Sequence, residues 1–191
     1  MNYKCVLASG SPRRKELLAG LGIDFEVRVL PGIDESYPAG LTGEEIARTI
    51  SQKKAAAYRT TMASDELIIT ADTIVYLDDE VLGKPHDEQD ACAMLRKLSG
   101  RTHQVITGVT LLTKEFEHTF DCVSQVCFAN LSETEIQYYV SHYRPLDKAG
   151  AYGIQEWIGY IGVEHIEGSY FNVMGLPIQR LYQKMKQFNL I

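Results

Sequence analysis

The sequence predicts an α/β fold in which strands and helices alternate along the chain. Three observations predict it. An apolar run, Cys5-Val6-Leu7-Ala8, breaks into Ser9-Gly10-Ser11-Pro12-Arg13-Arg14, which reads as a strand feeding a helix. Two capping boxes, Thr42-Gly43-Glu44-Glu45 and Ser132-x-x-Glu135, open helices further along. Two long stretches, His103–Leu112 and Glu117–Phe128, read as strands joined by a turn near Lys114-Glu115.

The remaining elements follow from local chemistry. Pro12 suits the first helical position, where its missing N–H costs nothing, and the helix is expected over Pro12–Leu21. A second strand, Phe25–Leu30, leads into a Pro/Gly-containing loop that runs to Gly40. The Thr42 box starts a helix expected from Gly43 to Tyr58. Leu67–Ala71 is an apolar strand running into Asp72-Thr73 and continued by Ile74–Leu77; Asp78-Asp79 then turns the chain back into Val81-Leu82. Asp87 caps a helix to Leu98, with Gly100 as its stop. The Ser132 box opens a helix to Tyr143, which Pro145 terminates. Lys148–Gly175 is rich in glycine and aromatics and gives no clear assignment. Pro177 begins a closing helix to Phe188, with Leu181, Met185 and Phe188 on one face.

With 191 residues, the chain suits one domain or two closely joined lobes, with length enough for a real core. Hydrophobic content of 45% and charged content of 23% are ordinary for a soluble globular protein. A net charge of −6 argues against general nucleic-acid binding, which needs a broad basic footprint. It leaves room for a small polyanion where cations converge and a metal ion screens phosphates. No stretch approaches a membrane span, and Ser9 and the arginines interrupt any signal-peptide core. A cytoplasmic protein is expected. Cys5, Cys92, Cys122 and Cys127 form no CxxC pair, and reduced, buried thiols are the expected state.

The Ser9–Arg14 corner carries the first chemical signal. Small residues let a ligand approach the backbone, and free N–H groups at a helix start attract anions. Arg13 and Arg14 add forked donors suited to phosphate oxygens, although arginine opposes the dipole at a helix N-terminus. The same residues also read as an ordinary strand–helix turn bearing surface arginines. Asp72, directly after a buried strand, is placed as a metal ligand or base, or equally as a turn cap. Glu35, in Gly32-Ile33-Asp34-Glu35, reads as a loop acid. Lys84 is framed by Gly83 and Pro85, which fix its backbone, while Lys53-Lys54 read as a solvated helix face. Two carboxylates among several cations suit Mg²⁺ or Mn²⁺ held together with substrate phosphates. The five histidines lack zinc-ligand spacing and are expected to be structural or exposed. No Walker A, GxGxxG or GxSxG motif occurs.

In order along the chain, Leu7–Arg14, Ala71-Asp72-Thr73-Ile74-Val75, Gly83-Lys84-Pro85 and Ser99-Gly100-x-x-His103-x-Val105-x-Thr107-Gly108-Val109 resemble the signature blocks of the Maf family. Asp147-Lys148-Ala149-Gly150-Ala151-Tyr152-Gly153-Ile154-Gln155 and Gly168-Ser169-Tyr170-x-Asn172-Val173-x-Gly175-Leu176-Pro177 complete the set. The resemblance implies a single domain over residues 1–191, with a long mixed β-sheet and helices in two lobes around a cleft, as in inosine triphosphate pyrophosphatases. It implies a nucleoside triphosphate pyrophosphatase of the branch acting on dTTP and UTP, and a homodimer. Members are also named septum-formation proteins, for an association with cell-division arrest, and a house-cleaning role toward modified nucleotides goes with the family.

Residue by residue, the resemblance implies that Ser9, Arg13, Lys54 and Lys84 meet phosphates. It gives Glu35 and Asp72 as metal-site carboxylates, with Asp72 the proton acceptor. It links Arg13, Thr73 and Gln155 to base choice. One departure is Gln155-Glu156-Trp157, where a glycine commonly follows the glutamine. The expected reaction is metal-assisted attack of water on dTTP or UTP, giving the monophosphate and pyrophosphate. The rival expectation is a nucleotide-binding regulator of cell division without catalysis.

Overall fold

The computed structural model describes residues 3–191. In chain order its elements are β1 (Lys4–Leu7), α1 (Pro12–Ala19), β2 (Phe25–Val27), α2 (Gly43–Ala56), β3 (Glu66–Leu77) and β4 (Glu80–Leu82). Then come α3 (Glu88–Leu98), β5 (Thr102–Leu112), β6 (Glu117–Phe128), α4 (Glu133–Tyr143) and a 3-10 turn at Ala149–Ala151. α5 (Trp157–Gly162), β7 (Val163–Glu167), α6 (Tyr170–Met174) and α7 (Ile178–Gln187) complete the described chain. The α/β class is therefore as expected, with strand order β2-β1-β3-β5-β6-β7 and β4 on β3.

Packing divides the chain into two units. The first comprises the chain up to Thr73 together with Thr107–Cys122 and Gly175–Ile191; the second comprises Ile74–Ile106 and Val123–Met174. In the first unit β1 runs parallel to both neighbours, with Cys5 opposite Phe25 on β2 and Leu67 on β3. Parallel pairing needs a crossover, which α1 and α2 provide. Val6, Leu7 and Leu67–Ile69 are buried, as strands covered on both faces must be. Val6, Ala55, Tyr58, Met62, Ile68 and Leu112 pack together there. Side chains of that kind contribute roughly 1.5–3 kcal/mol each when fully buried.

The second unit contains antiparallel pairs: β4 returns along β3 with Leu82 opposite Val75, and β7 lines β6 with Ile166 opposite Val126. Its core gathers Leu95, Val105, Phe128, Tyr139, Tyr152 and Ile158. His103 lies inside it. Its Nε2 is 2.8 Å from the Tyr152 hydroxyl, and its ring meets Phe128 edge-on. Burial pushes its imidazole down to about 4, so it is neutral near pH 7.

Both capping boxes form as read. Glu45 Oε2 accepts from Thr42 N at 2.8 Å, and Glu135 Oε2 accepts from Ser132 N at 2.7 Å. Several boundaries differ from expectation. β2 ends at Val27 rather than Leu30 because the next residues bond to a side chain. Arg28 N still donates to Leu7 O at 3.1 Å, but the Tyr58 hydroxyl donates to Arg28 O at 2.7 Å and accepts from Leu30 N at 3.1 Å, which takes those two groups from strand pairing. α1 closes at Ala19 and α2 at Ala56, each about a residue or two early. Lys148–Gly175 resolves into a turn, two short helices and β7.

All four cysteines are free, as expected, but only Cys5 is buried; Cys92, Cys122 and Cys127 are half-buried. Among the described residues no helix is long and apolar enough to cross a membrane.

Candidate active site

The Ser9–Arg14 corner folds as a cap. Ser11 is the N-cap of α1, its hydroxyl accepting from Arg14 N at 3.4 Å, and Pro12 occupies the first turn. Arg14 does not point away from the helix start into solvent. Its Nε donates to Gly175 O at 2.8 Å, Nη1 to Ser9 Oγ at 3.3 Å and Nη2 to Thr73 Oγ1 at 3.0 Å. An arginine mismatched to the helix dipole is thus held by three protein acceptors drawn from three segments. Burial lowers its pKa, while the charges of Asp72 and Glu35 work in the opposite direction. Thr73 Oγ1 also shares a 2.9 Å hydrogen bond with Thr107 Oγ1. Gly175 has φ 117°, a conformation that side chains rarely adopt, and this aims its carbonyl at Arg14. Ser9 is buried, and Arg13, beside Arg14, is half-buried.

Asp72 and Thr73 are not at a strand's end, as the sequence suggested; they sit inside the twelve-residue β3. The pairing of β3 with β1 reaches Ile69, and its pairing with β4 begins at Val75. Asp72 and Thr73 therefore lie in a stretch between the parts of β3 that pair with β1 and with β4.

Lys54, expected on a solvated face, is instead drawn inward. Its Nζ lies 2.6 Å from Asp72 Oδ1 and 3.1 Å from Glu35 Oε1, with side-chain exposure of 14% for both Lys54 and Asp72. Glu35 remains half-exposed on its loop. Its two neighbours are fixed by Lys53, whose Nζ reaches Asp34 Oδ2 at 2.9 Å, Ser36 O at 2.6 Å and Ser36 Oγ at 3.1 Å. Ser36 in turn donates N–H and O–H to Asp34. These contacts, with Lys53 foremost, hold the Asp34 carboxyl well below the usual range. Sequence reasoning missed this role for Lys53; the signal was the Asp34-x-Ser36 turn pattern on either side of Glu35.

A divalent ion fits the donor set. Glu35 and Asp72 already converge on one cationic group, and hard oxygen donors of this kind are what Mg²⁺ or Mn²⁺ takes. Among the described residues no three His, Cys, Asp or Glu side chains are grouped so that they could hold a metal ion.

The second unit holds the other two expected residues. Lys84 is exposed between Gly83 and the buried Pro85. Gln155 is half-buried, and its Oε1 is buried without a hydrogen-bond partner. An orphan acceptor of that kind carries a cost unless something else satisfies it. Lys148, also missed from sequence, is buried, with Nζ 2.7 Å from Asp147 Oδ1 and 3.1 Å from Oε1 of Glu156, the residue after Gln155.

Comparison with known proteins adds family and fold. The Maf-like protein family matches residues 4–188. A protein of Phocaeicola vulgatus named dTTP/UTP pyrophosphatase is 65% identical over 185 residues, covering 97% of this chain and 96% of its own length. One of the same name from Flavobacterium psychrophilum is 50% identical over 181 residues, covering 95% of this chain and 92% of its own. The structure of a HAM1 protein from Coxiella burnetii superposes with a TM-score of 0.50 at 15% identity, over 97% of this chain and 99% of that one, a likeness of fold.

Proposed function

The chain belongs to the Maf family, and we propose that it hydrolyses dTTP and UTP to the nucleoside monophosphate and pyrophosphate. The names carried by relatives 50–65% identical support the substrate class. The observation that carries the chemistry is the Lys54 ammonium lying between the Asp72 and Glu35 carboxylates, in the same unit as the Ser9–Arg14 corner.

Glu35 and Asp72 would hold a Mg²⁺ or Mn²⁺ ion, which when bound supplies charge neutralisation and positioning of the triphosphate. Asp72 accepts the proton of the attacking water at its carboxylate. Lys54 holds that carboxylate in place and, with Arg13 and Lys84, stabilises charge developing on the phosphate oxygens. Ser9, just before α1, meets the phosphates through its hydroxyl. Arg14, with Nε, Nη1 and Nη2 spent on Gly175, Ser9 and Thr73, acts by fixing the Ser9 and Thr73 hydroxyls.

Gln155 reads the base. Its buried, unpartnered Oε1 accepts the ring N–H of uracil or thymine, while its amide N–H donates to the adjacent carbonyl. Cytosine reverses both groups and leaves them unpaired, a penalty of about 1–3 kcal/mol.

The test is a panel of UTP, dTTP, CTP and GTP with Mg²⁺, assayed for pyrophosphate, on the wild type and Gln155→Ala. UTP and dTTP should lead in kcat/KM, and the lead should shrink in the variant. Equal values across the four bases would contradict the base reading, and nucleotide binding without turnover would favour a regulator.

A further inference from the structure

The segment that carries Gln155 is pinned more heavily than a surface turn requires. Glu156 N donates to Gly153 O at 2.9 Å and closes a four-residue turn with Gln155 at its third position. One hydroxyl holds both ends of that turn. Tyr139 OH, fully buried on α4, accepts from Gly153 N at 3.0 Å and donates to Glu156 Oε2. Burial, and secondarily Glu156, raises the Tyr139 pKa far above its usual value, so the phenol stays protonated as the donor.

The other carboxylate oxygen, Glu156 Oε1, lies 3.1 Å from Lys148 Nζ. Space is shaped to match. A Cβ on Gly153 would come 2.9 Å from Glu156 Cδ and 3.0 Å from Lys148 Cε, so only glycine lets the ion pair lie against the turn. On the far side, a Cβ on Gly159 would strike Ile154 O, so α5 packs directly on the turn's backbone. Within the turn, Gly153 N and Glu156 N are bonded, while Gln155 Oε1 is buried without a partner. A buried pair such as Lys148–Glu156 is poor value as stabilisation alone, whereas it is well suited to fixing one conformation.

We propose that Tyr139, Glu156 and Lys148 are positioning residues that hold the backbone turn carrying Gln155, and so place its side chain for a uracil-type base. This rests on the reading that Gln155 meets the base. A turn held in one place brings the Gln155 side chain to the same part of the base each time; a turn free to shift would present it less closely and discriminate less.

The experiment compares Tyr139→Phe, Glu156→Gln and Gln155→Ala with the wild type, measuring kcat and KM for UTP and CTP together with the thermal midpoint. Glu156→Gln keeps an acceptor for Tyr139, and Lys148 retains Asp147 at 2.7 Å, so this variant keeps its fold if Tyr139→Phe does not. Tyr139→Phe and Glu156→Gln should each raise the UTP KM about tenfold, change kcat little, and shrink the UTP-to-CTP preference. Gln155→Ala should shrink the same preference. A folded Glu156→Gln with the wild-type preference, beside a Gln155→Ala that loses it, would overturn the positioning role and leave the base reading standing. A Gln155→Ala with unchanged preference would overturn both.

Discussion

Lys54 Nζ lies 2.6 Å from Asp72 Oδ1, and the same ammonium lies 3.1 Å from Glu35 Oε1. Two carboxylates from distant parts of the chain are held by one side chain, and both are named in the proposed chemistry. Lys54→Met removes that charge while keeping the aliphatic stem. With Mg²⁺ saturating, kcat for UTP should fall on the order of a hundredfold, the scale on which one preorganised charge acts. Steady-state kinetics checks it; a kcat within about twofold of wild type would remove Lys54 from the reaction.

Lys53 acts one step further out. It ties Asp34 and Ser36, the two neighbours of Glu35, to α2. The pair is exposed, so Lys53→Gln should leave the thermal midpoint nearly unchanged. Freeing the loop should weaken Mn²⁺ binding roughly tenfold, as loss of an outer support for a ligand does. Titration of free Mn²⁺ by electron paramagnetic resonance reads this directly; equal affinity in variant and wild type would separate Lys53 from the metal site. In the same preparations, chelation should stop turnover, and either Mg²⁺ or Mn²⁺ should restore it.

His103 makes stability depend on pH. Its imidazole is held at about 4 in the folded protein against 6.5 in the unfolded chain. The unfolded chain binds the extra proton between those values, so this contribution is complete above pH 6.5 and is lost as pH falls toward about 4. Its limiting slope is about 1.4 kcal/mol per pH unit. His103→Gln keeps a polar partner for Tyr152 OH but does not titrate. Urea unfolding from pH 7 to 4 should show a shallower decline in the variant; parallel declines would place the proton elsewhere.

What was legible in the sequence was local. The capping boxes at Thr42 and Ser132 and the Pro12 helix start are satisfied within a few residues, so their chemistry can be read from spacing alone. β2 was read too long because its end is decided by Tyr58, some thirty residues away, whose hydroxyl takes Arg28 O and Leu30 N. Lys53 and Lys54 were read as a solvated face for the same reason. Neither their helix nor their spacing announces that Asp34, Glu35 and Asp72 lie within reach. The 148–175 segment gave no period because its turn is held by the buried Tyr139 and Lys148, not by repeating local bonds. Motif resemblance named Ser9, Arg13, Glu35, Asp72 and Gln155; that Arg14 holds Gly175, Ser9 and Thr73 through Nε, Nη1 and Nη2 is a matter of packing between distant segments, which spacing does not announce.

In the proposed reaction Asp72 accepts the proton of a water that cleaves the triphosphate to release pyrophosphate. Phosphorus NMR of UTP turnover by wild type and Asp72→Asn, with Mg²⁺ present, tests it most directly. The wild type should yield UMP and pyrophosphate. The variant should bind UTP within about tenfold of wild type yet yield neither product, because the amide keeps the shape and loses the base. Release of UDP and phosphate, or pyrophosphate from Asp72→Asn at the wild-type rate, would contradict the account.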